Sequence, residues 1–322
     1  MQRTFLWIAR VGTLLALAVV TIGAWVRLTD AGLGCPDWPG CYGRLVVSAG
    51  IASDPDTAAL RDTRPLDTGK AWREMIHRYL ASTLGLLCVA LAAIGLKNRA
   101  APAQAWRVPL VLVALVILQG LLGMWTVTLL LKPVVVVAHL LGGFSTLALL
   151  FWLGDVRTAP LLVGGKLRAL GVAALAALVL QIALGGWTSS NYAALACPDF
   201  PTCQTQWWPA LADFDEAFVL WRGIGVDYEG GVLDHPARVA IHFTHRLGAL
   251  LATLAVGLFG AMLFRRTSAR VDGAAVLAAL VCQLGLGIGI VLLGVPLWAA
   301  VAHNGAAAIL LLTVINAHRR IW

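Results

Sequence analysis

Apolar residues in this chain come in long runs, not in alternation. Eight stretches, at about 5–28, 73–96, 107–130, 133–154, 167–188, 238–263, 271–293 and 296–317, are each mostly apolar. Each is close to the roughly 20 residues that carry a helix across the hydrocarbon core of a bilayer. The first run is too long for the apolar region of a signal peptide, and Trp25 and Arg27 stand where a small-residue cleavage site would be expected, so it is read as a spanning helix. The pattern predicts an all-α membrane protein with eight transmembrane helices. Between the runs, the even gaps and both ends carry Lys and Arg, from Arg3 and Arg10 through Lys97, Arg99, Arg157, Lys166, Arg265 and Arg266 to Arg319 and Arg320. Only Asp155 and Asp272 oppose them. Long connections at 29–72 and 189–237 are instead rich in Asp. Positive residues stay on the cytoplasmic side. Both termini are therefore expected in the cytoplasm of a bacterial-type inner membrane, with the two long loops periplasmic.

The chain also repeats itself. Gly23-Ala24-Trp25 precedes Cys35-Pro36-Asp37-Trp38-Pro39-Gly40-Cys41, and Gly185-Gly186-Trp187 precedes Cys197-Pro198-Asp199-Phe200-Pro201-Thr202-Cys203. His77-Arg78 matches His245-Arg246, and Gln119 with His139 matches Gln283 with His303. The offsets stay within a few residues of one another, 197 − 35 = 162, 245 − 77 = 168 and 303 − 139 = 164. Each half holds an even number of spans, so both enter from the same side and the repeat is parallel. The expectation is two four-helix bundles, residues 1–160 and 161–322.

Composition narrows the class. Hydrophobic residues make up 60% and charged residues 12%, against about 25% charged in an ordinary soluble domain. A soluble enzyme and a disordered chain are excluded. The net charge of +8 fits basic cytoplasmic ends better than a nucleic-acid surface.

His77, His139, His245 and His303 stand inside the second, fourth, sixth and eighth runs, each about 5–8 residues from the expected helix start, or roughly 7–12 Å at 1.5 Å per residue. Ionisable groups inside a bilayer are costly and mark function by default. Two histidines per four-helix bundle suit a haem iron with two axial imidazoles, whereas a zinc or copper site wants three or four close ligands. Two porphyrin sites are therefore expected, one per half, near the outer face. Glu74 stands three residues before His77, where the second half has His242. Glu74 reads as a helix N-terminal acid favoured by the dipole or as a general base beside a bound reactant. His242 reads as packed or as a support for its neighbour. Arg78 and Arg246 suit the propionates of a haem or snorkel to headgroups. Gln119 and Gln283 suit interhelical hydrogen bonds. Cys35 with Cys41 and Cys197 with Cys203 are expected as disulfides within their loops, because the periplasm is oxidising and the prolines bend each loop. They read as structural clips or as redox-active pairs. Trp7, Trp25, Trp72, Trp106, Trp187 and Trp298 are expected at the membrane interfaces. His235 is expected in a loop and His318 at the cytoplasmic end.

Together, Glu74-Met75-Ile76-His77-Arg78, the two Cys-Pro loops, the Gln119…His139 and Gln283…His303 segments and the repeated helices resemble the haem A synthase family over nearly the whole chain. The resemblance implies oxidation of the C8 methyl of haem O to the formyl of haem A through hydroxylation steps. It implies that His245 and His303 hold a haem b cofactor and that His77 and His139 flank the substrate haem, with Glu74 as the catalytic acid residue. It further implies haem O synthase and oxidase assembly factors as partners. The residues by themselves also suit a dihaem electron-transfer cytochrome or a haem chaperone or exporter. Against the cytochrome, each helix gives one histidine and all four are expected at one depth; against the carrier stands Glu74.

Overall fold

The computed structural model describes residues 2–101, 105–154 and 161–322. Asp155 and Arg157, counted above among the inter-helix charges, lie outside the described residues. The protein is an all-α, multi-pass membrane protein with eight helices long and apolar enough to span a bilayer. In chain order its α-helices are α1 (Gln2–Leu28), α2 (Ala58–Thr63), α3 (Thr68–Lys97), α4 (Arg107–Thr128), α5 (Pro133–Gly154), α6 (Gly165–Ser190), α7 (Phe214–Ala217), α8 (His235–Phe264), α9 (Arg270–Leu292) and α10 (Leu297–Ile321). All but α2 and α7 are the spans.

Side-chain caps start α3 and α8 ahead of their apolar runs. The Asp67 carboxylate accepts the Lys70 N–H at 3.0 Å and starts α3, and Asp234 accepts the Ala237 N–H at 3.1 Å and starts α8. Such caps satisfy amide groups that a helix start leaves bare. Each therefore adds polar turns beyond the apolar stretch. His235, expected in a loop, is consequently the first residue of α8. His77 and His245 lie nine and ten residues past the starts of their helices (77 − 68, 245 − 235), deeper than the sequence suggested, while His139 and His303 lie six past theirs (139 − 133, 303 − 297).

The chain forms two compact units. One comprises residues up to Leu153 together with Leu220–Val232, and the other Gly154–Val219 with Leu233–Trp322. In the first, α3 packs on α1 and α4, and α5 meets α1 where Gly12 admits Leu150 and Gly143 admits Val20. In the second, α8 packs between α6 and α9, and α10 packs on α9 and α6. Gly273 lets α9 approach the backbone of Phe264 so closely that a Cβ there would stand 2.7 Å from the Phe264 Cα.

Each unit carries the same disulfide-closed turn at the mouth of its helices. Cys35–Cys41 and Cys197–Cys203 are bonded, with Cα atoms 4.8 and 4.7 Å apart. Asp37 gathers the N–H groups of Tyr42 and Gly43 at 2.6 and 2.9 Å, and Asp199 those of Gln204 and Thr205 at 2.8 and 3.0 Å. Burial works against the Asp199 charge, but the Thr202 hydroxyl and the two N–H groups outweigh it and hold the carboxyl below its usual range. That contribution is present at neutral pH and is lost as the pH falls through the lowered value. Trp187, expected at the interface, is instead buried, its indole N–H donated to the Ala217 carbonyl at 3.0 Å.

The second long loop does something the hydropathy pattern does not announce. Its residues 220–232 pack on the first unit. Val226 and Tyr228 join Leu33, Val127 and Leu131 in one apolar cluster, and the Tyr228 N–H reaches the Leu130 carbonyl at 3.1 Å. Arg64 pairs with Asp227 at 3.2 Å and Glu229 at 2.5 Å, and Lys70 meets Glu229 at 3.5 Å. Lys132, 1% exposed, donates to the Arg222 and Gly223 carbonyls at 2.8 and 2.5 Å, its ammonium 3.6 Å from the Trp221 ring centre.

Lys132→Met keeps the aliphatic stem and leaves both carbonyls without their charged donor, a loss of about 1.5–3 kcal/mol. Amide hydrogen exchange should rise across 220–232 and stay unchanged in the 197–206 turn. Equal protection in both proteins would show that the apolar cluster alone holds this segment.

Candidate functional site

An imidazole inside an apolar helix needs room beside the facing helix, and here glycine supplies it four times. A Cβ at Gly23 of α1 would stand 2.9 Å from His77 Cε1 of α3, and one at Gly123 of α4 would stand 3.7 Å from His139 Cε1 of α5. In the second unit a Cβ at Gly185 of α6 would stand 3.3 Å from His245 Cε1 of α8. One at Gly287 of α9 would stand 3.0 Å from His303 Cε1 of α10. Three of these four spacings are tighter than an ordinary carbon contact of about 3.5–4.0 Å. The seats follow the repeat, Gly185 − Gly23 = 162 and Gly287 − Gly123 = 164.

In the first unit the two rings meet: His77 and His139 have centroids 6.4 Å apart with planes at 79°. Two imidazoles on opposite sides of one metal, each bound through nitrogen at about 2.0–2.1 Å, have ring centres roughly 6 Å apart, so the first pair has the spacing that a shared iron needs. The Nδ1 atoms of His77, His139 and His303 are buried without a protein partner, although buried polar atoms are normally paired. Among the described residues no group of three or more His, Cys, Asp or Glu gathers as a metal cluster would. Two facing imidazoles with free nitrogens in an apolar bundle fit a haem iron.

Glutamines border both pairs. Gln283 Nε2 lies 3.2 Å from His303 Nε2, and Gln181 Nε2 lies 3.1 Å from His245 Nδ1. In the first unit Gln119 presses on Gly142, its Nε2 unpartnered.

Glu74 and His242 prove to share one structural task. The Cys35 N–H donates to Glu74 Oε2 at 2.9 Å, and the Cys197 N–H to His242 Nδ1 at 3.3 Å. Each side chain, 5% exposed, thus ties the first cysteine of its loop to the helix turn that precedes the ligand-type histidine. Glu74 is six residues past the start of α3 (74 − 68), beyond the first turn in which the helix dipole acts; the dipole reading of Glu74 does not hold. Its other oxygen pairs with Arg78. Arg78 also donates to the carbonyls of Asp37, Pro39 and Gly40 at 3.0, 3.2 and 2.5 Å, and Arg246 to those of Thr202 and Cys197 at 2.6 and 2.8 Å. Both guanidinium groups face the loops.

Three residues escaped the sequence reading. Gln181 has Val19 at the matching position, so the repeat does not flag it. Lys132 sits between two apolar runs and has no repeated counterpart that marks it. Arg73 lies one turn from His77 with its guanidinium carbon 5.7 Å from the Trp25 ring centre; the i, i+4 spacing to His77 was its signal.

Sequence comparison finds relatives over nearly the whole chain. The chain is 43% identical to the haem A synthase of Shewanella oneidensis, covering 98% of this chain and 96% of that protein. It is 31% identical to the haem A synthase of Methylobacterium sp. strain 4-46, covering 95% and 89%, and 25% identical to that of Halalkalibacterium halodurans, covering 94% and 93%. With eight spans, paired histidines and disulfide turns extending through the region that the family model matches, residues 6–315, this chain belongs to the COX15-CtaA family of cytochrome oxidase assembly proteins.

Proposed function

We propose that this chain is a haem A synthase, a membrane oxidoreductase that converts the C8 methyl of haem O to the formyl group of haem A. The observation that carries the reading is the pair of matched histidine sites with a carboxylate beside only one of them. Residues 1–160 and 161–322 are the two repeats, each a four-helix bundle. His77 and His139 take the substrate haem, and His245 and His303 hold haem b. The termini are cytoplasmic, the disulfide loops periplasmic, and haem O arrives from the bilayer. Haem b, when bound, supplies reversible electron transfer at the second pair.

The protein's own part is positioning and proton handling. The glycine seats orient the imidazoles. The two disulfide turns close over the helix ends and keep water from the rings. Oxidising a methyl group removes protons as well as electrons, and Glu74 is the carboxylate that accepts a proton near His77. Arg78 keeps that carboxylate oriented, and with Arg246 it acts on the haem sites through the loops.

Glu74→Gln should lower haem O to haem A conversion in membranes by about 10²–10⁴-fold while the low-spin haem b spectrum persists. Glu74→His copies the second unit and restores an acceptor for the Cys35 N–H, yet should be as inactive as the Gln variant. Activity in Glu74→His would reduce Glu74 to a loop anchor.

For the cofactor, His245→Ala or His303→Ala should abolish the low-spin haem b signal. Gly287→Ala, which crowds His303, should weaken that signal, and Gly285→Ala, with nothing within 4 Å of the new Cβ, should not. Four unchanged spectra would overturn the assignment of haem b to this pair.

A further inference from the structure

The geometry points to Arg73 as the residue that binds a propionate carboxylate of the substrate haem, an inference that rests on the reading that His77 and His139 hold that haem. Arg73 precedes His77 by one helical turn on the same face of α3, about 6 Å nearer the loop end. The same stretch of α1 lines both side chains: Gly23 seats the His77 ring, and Trp25, two residues on, lies under the Arg73 guanidinium. Arg73 Nη2 reaches further still, to within 3.5 Å of where a Cβ at Gly69 would be. The cation thus stands between the imidazole and the polar mouth of the unit. A haem held by His77 and His139 would turn one face to α3, leaving its propionates free to extend towards the loop end. Its two carboxylates are costly in hydrocarbon, so they turn towards this mouth and meet Arg73 first.

The neighbouring cations are already engaged. Arg27 pairs with Asp30 at 3.5 Å, and Arg64 and Lys70 pair with Asp227 and Glu229. Arg78 is bound to Glu74 and three loop carbonyls, and Lys132 to two carbonyls. Among the described residues Arg73 has no carboxylate partner, only the Trp25 ring, which attracts a cation but leaves its N–H fork free for a bidentate carboxylate. The second unit lacks this feature: the position that corresponds to Arg73, four residues before His245, is Ile241, 1% exposed. A free cation at one site and an isoleucine at the other separate a haem that must be recognised on arrival from a haem that stays.

The test titrates haem O and its dimethyl ester, whose propionates carry no charge, into the purified holoprotein, read as the Soret difference spectrum. In the wild type the ester should bind about 10- to 100-fold more weakly than the acid, the range of a charge-assisted hydrogen bond. In Arg73→Gln, acid and ester should bind alike, and Arg73→Lys should recover part of the preference; the haem b spectrum serves as the folding control in each. An undiminished acid preference in Arg73→Gln, or no preference in the wild type, overturns the proposal. If Arg73→Gln does not retain haem b, Arg73→Lys decides: a preference equal to the wild type's overturns the proposal, and a reduced one supports it. Failure of the underlying reading looks different. His77→Ala would then leave haem O binding unchanged, or the wild type would bind haem O and form no haem A.

Discussion

An imidazole buried in an apolar helix has two needs that hydrocarbon does not meet, space for a planar ring and a partner for its nitrogens. The helix packing answers the first. Gly23, Gly185 and Gly287 remove the Cβ atoms that would crowd His77, His245 and His303, and Gly123 lies in contact range of His139. The second is met only partly. Gln181 and Gln283 approach two of the rings, but the Nδ1 atoms of His77, His139 and His303 stay unpartnered among the protein's own groups. Buried donors and acceptors left in that state cost about 1–3 kcal/mol each, a cost that the haems proposed for these pairs would offset.

The disulfide turns extend this arrangement outward. Each begins with a cysteine whose N–H is held by the side chain three residues before a histidine, Glu74 for His77 and His242 for His245. Each is also gripped by the arginine that follows that histidine. A loop tied on both sides of the ring cannot shift without moving the helix turn that carries it. The two units share this scaffold and differ in what stands within it. The first unit has an ion pair, Glu74–Arg78, and an uncommitted Arg73; the second has His242 and Ile241 at the positions of Glu74 and Arg73. Shared backbone hydrogen bonds explain why the two loop turns look alike, and the altered side chains are where the two units differ.

Residues 220–232 show how a loop from the second half of the chain serves the first unit. Lys132 is fully buried there by two carbonyls and an indole face, an arrangement that satisfies an ammonium without a carboxylate. The Arg64, Lys70, Asp227 and Glu229 network lies at the more exposed edge, where pairs of this kind contribute little individually. Apolar burial of Val226 and Tyr228 and the Lys132 anchor therefore dominate the docking of this segment.

The sequence by itself determined the number of spans, the duplicated histidines, the disulfide partners and the family, because these depend on local hydropathy, on offsets and on motifs that a one-dimensional reading detects. It misplaced the starts of α3 and α8, since Asp67 and Asp234 extend helices past the apolar run by capping, which hydropathy does not record. It left Glu74 between a dipole acid and a functional carboxylate; only the helix start and the Cys35 N–H removed the first. It read Arg78 and Arg246 as propionate partners or as snorkelling to headgroups; the structure adds loop carbonyls as acceptors for both, and those acceptors were created by folding. Gln181, Lys132 and Arg73 had no signal of comparable strength. Their roles come from partners 64 residues away for Gln181, 90 for Lys132 and, for Arg73, on a different helix. Those distances close only when helices pack side by side.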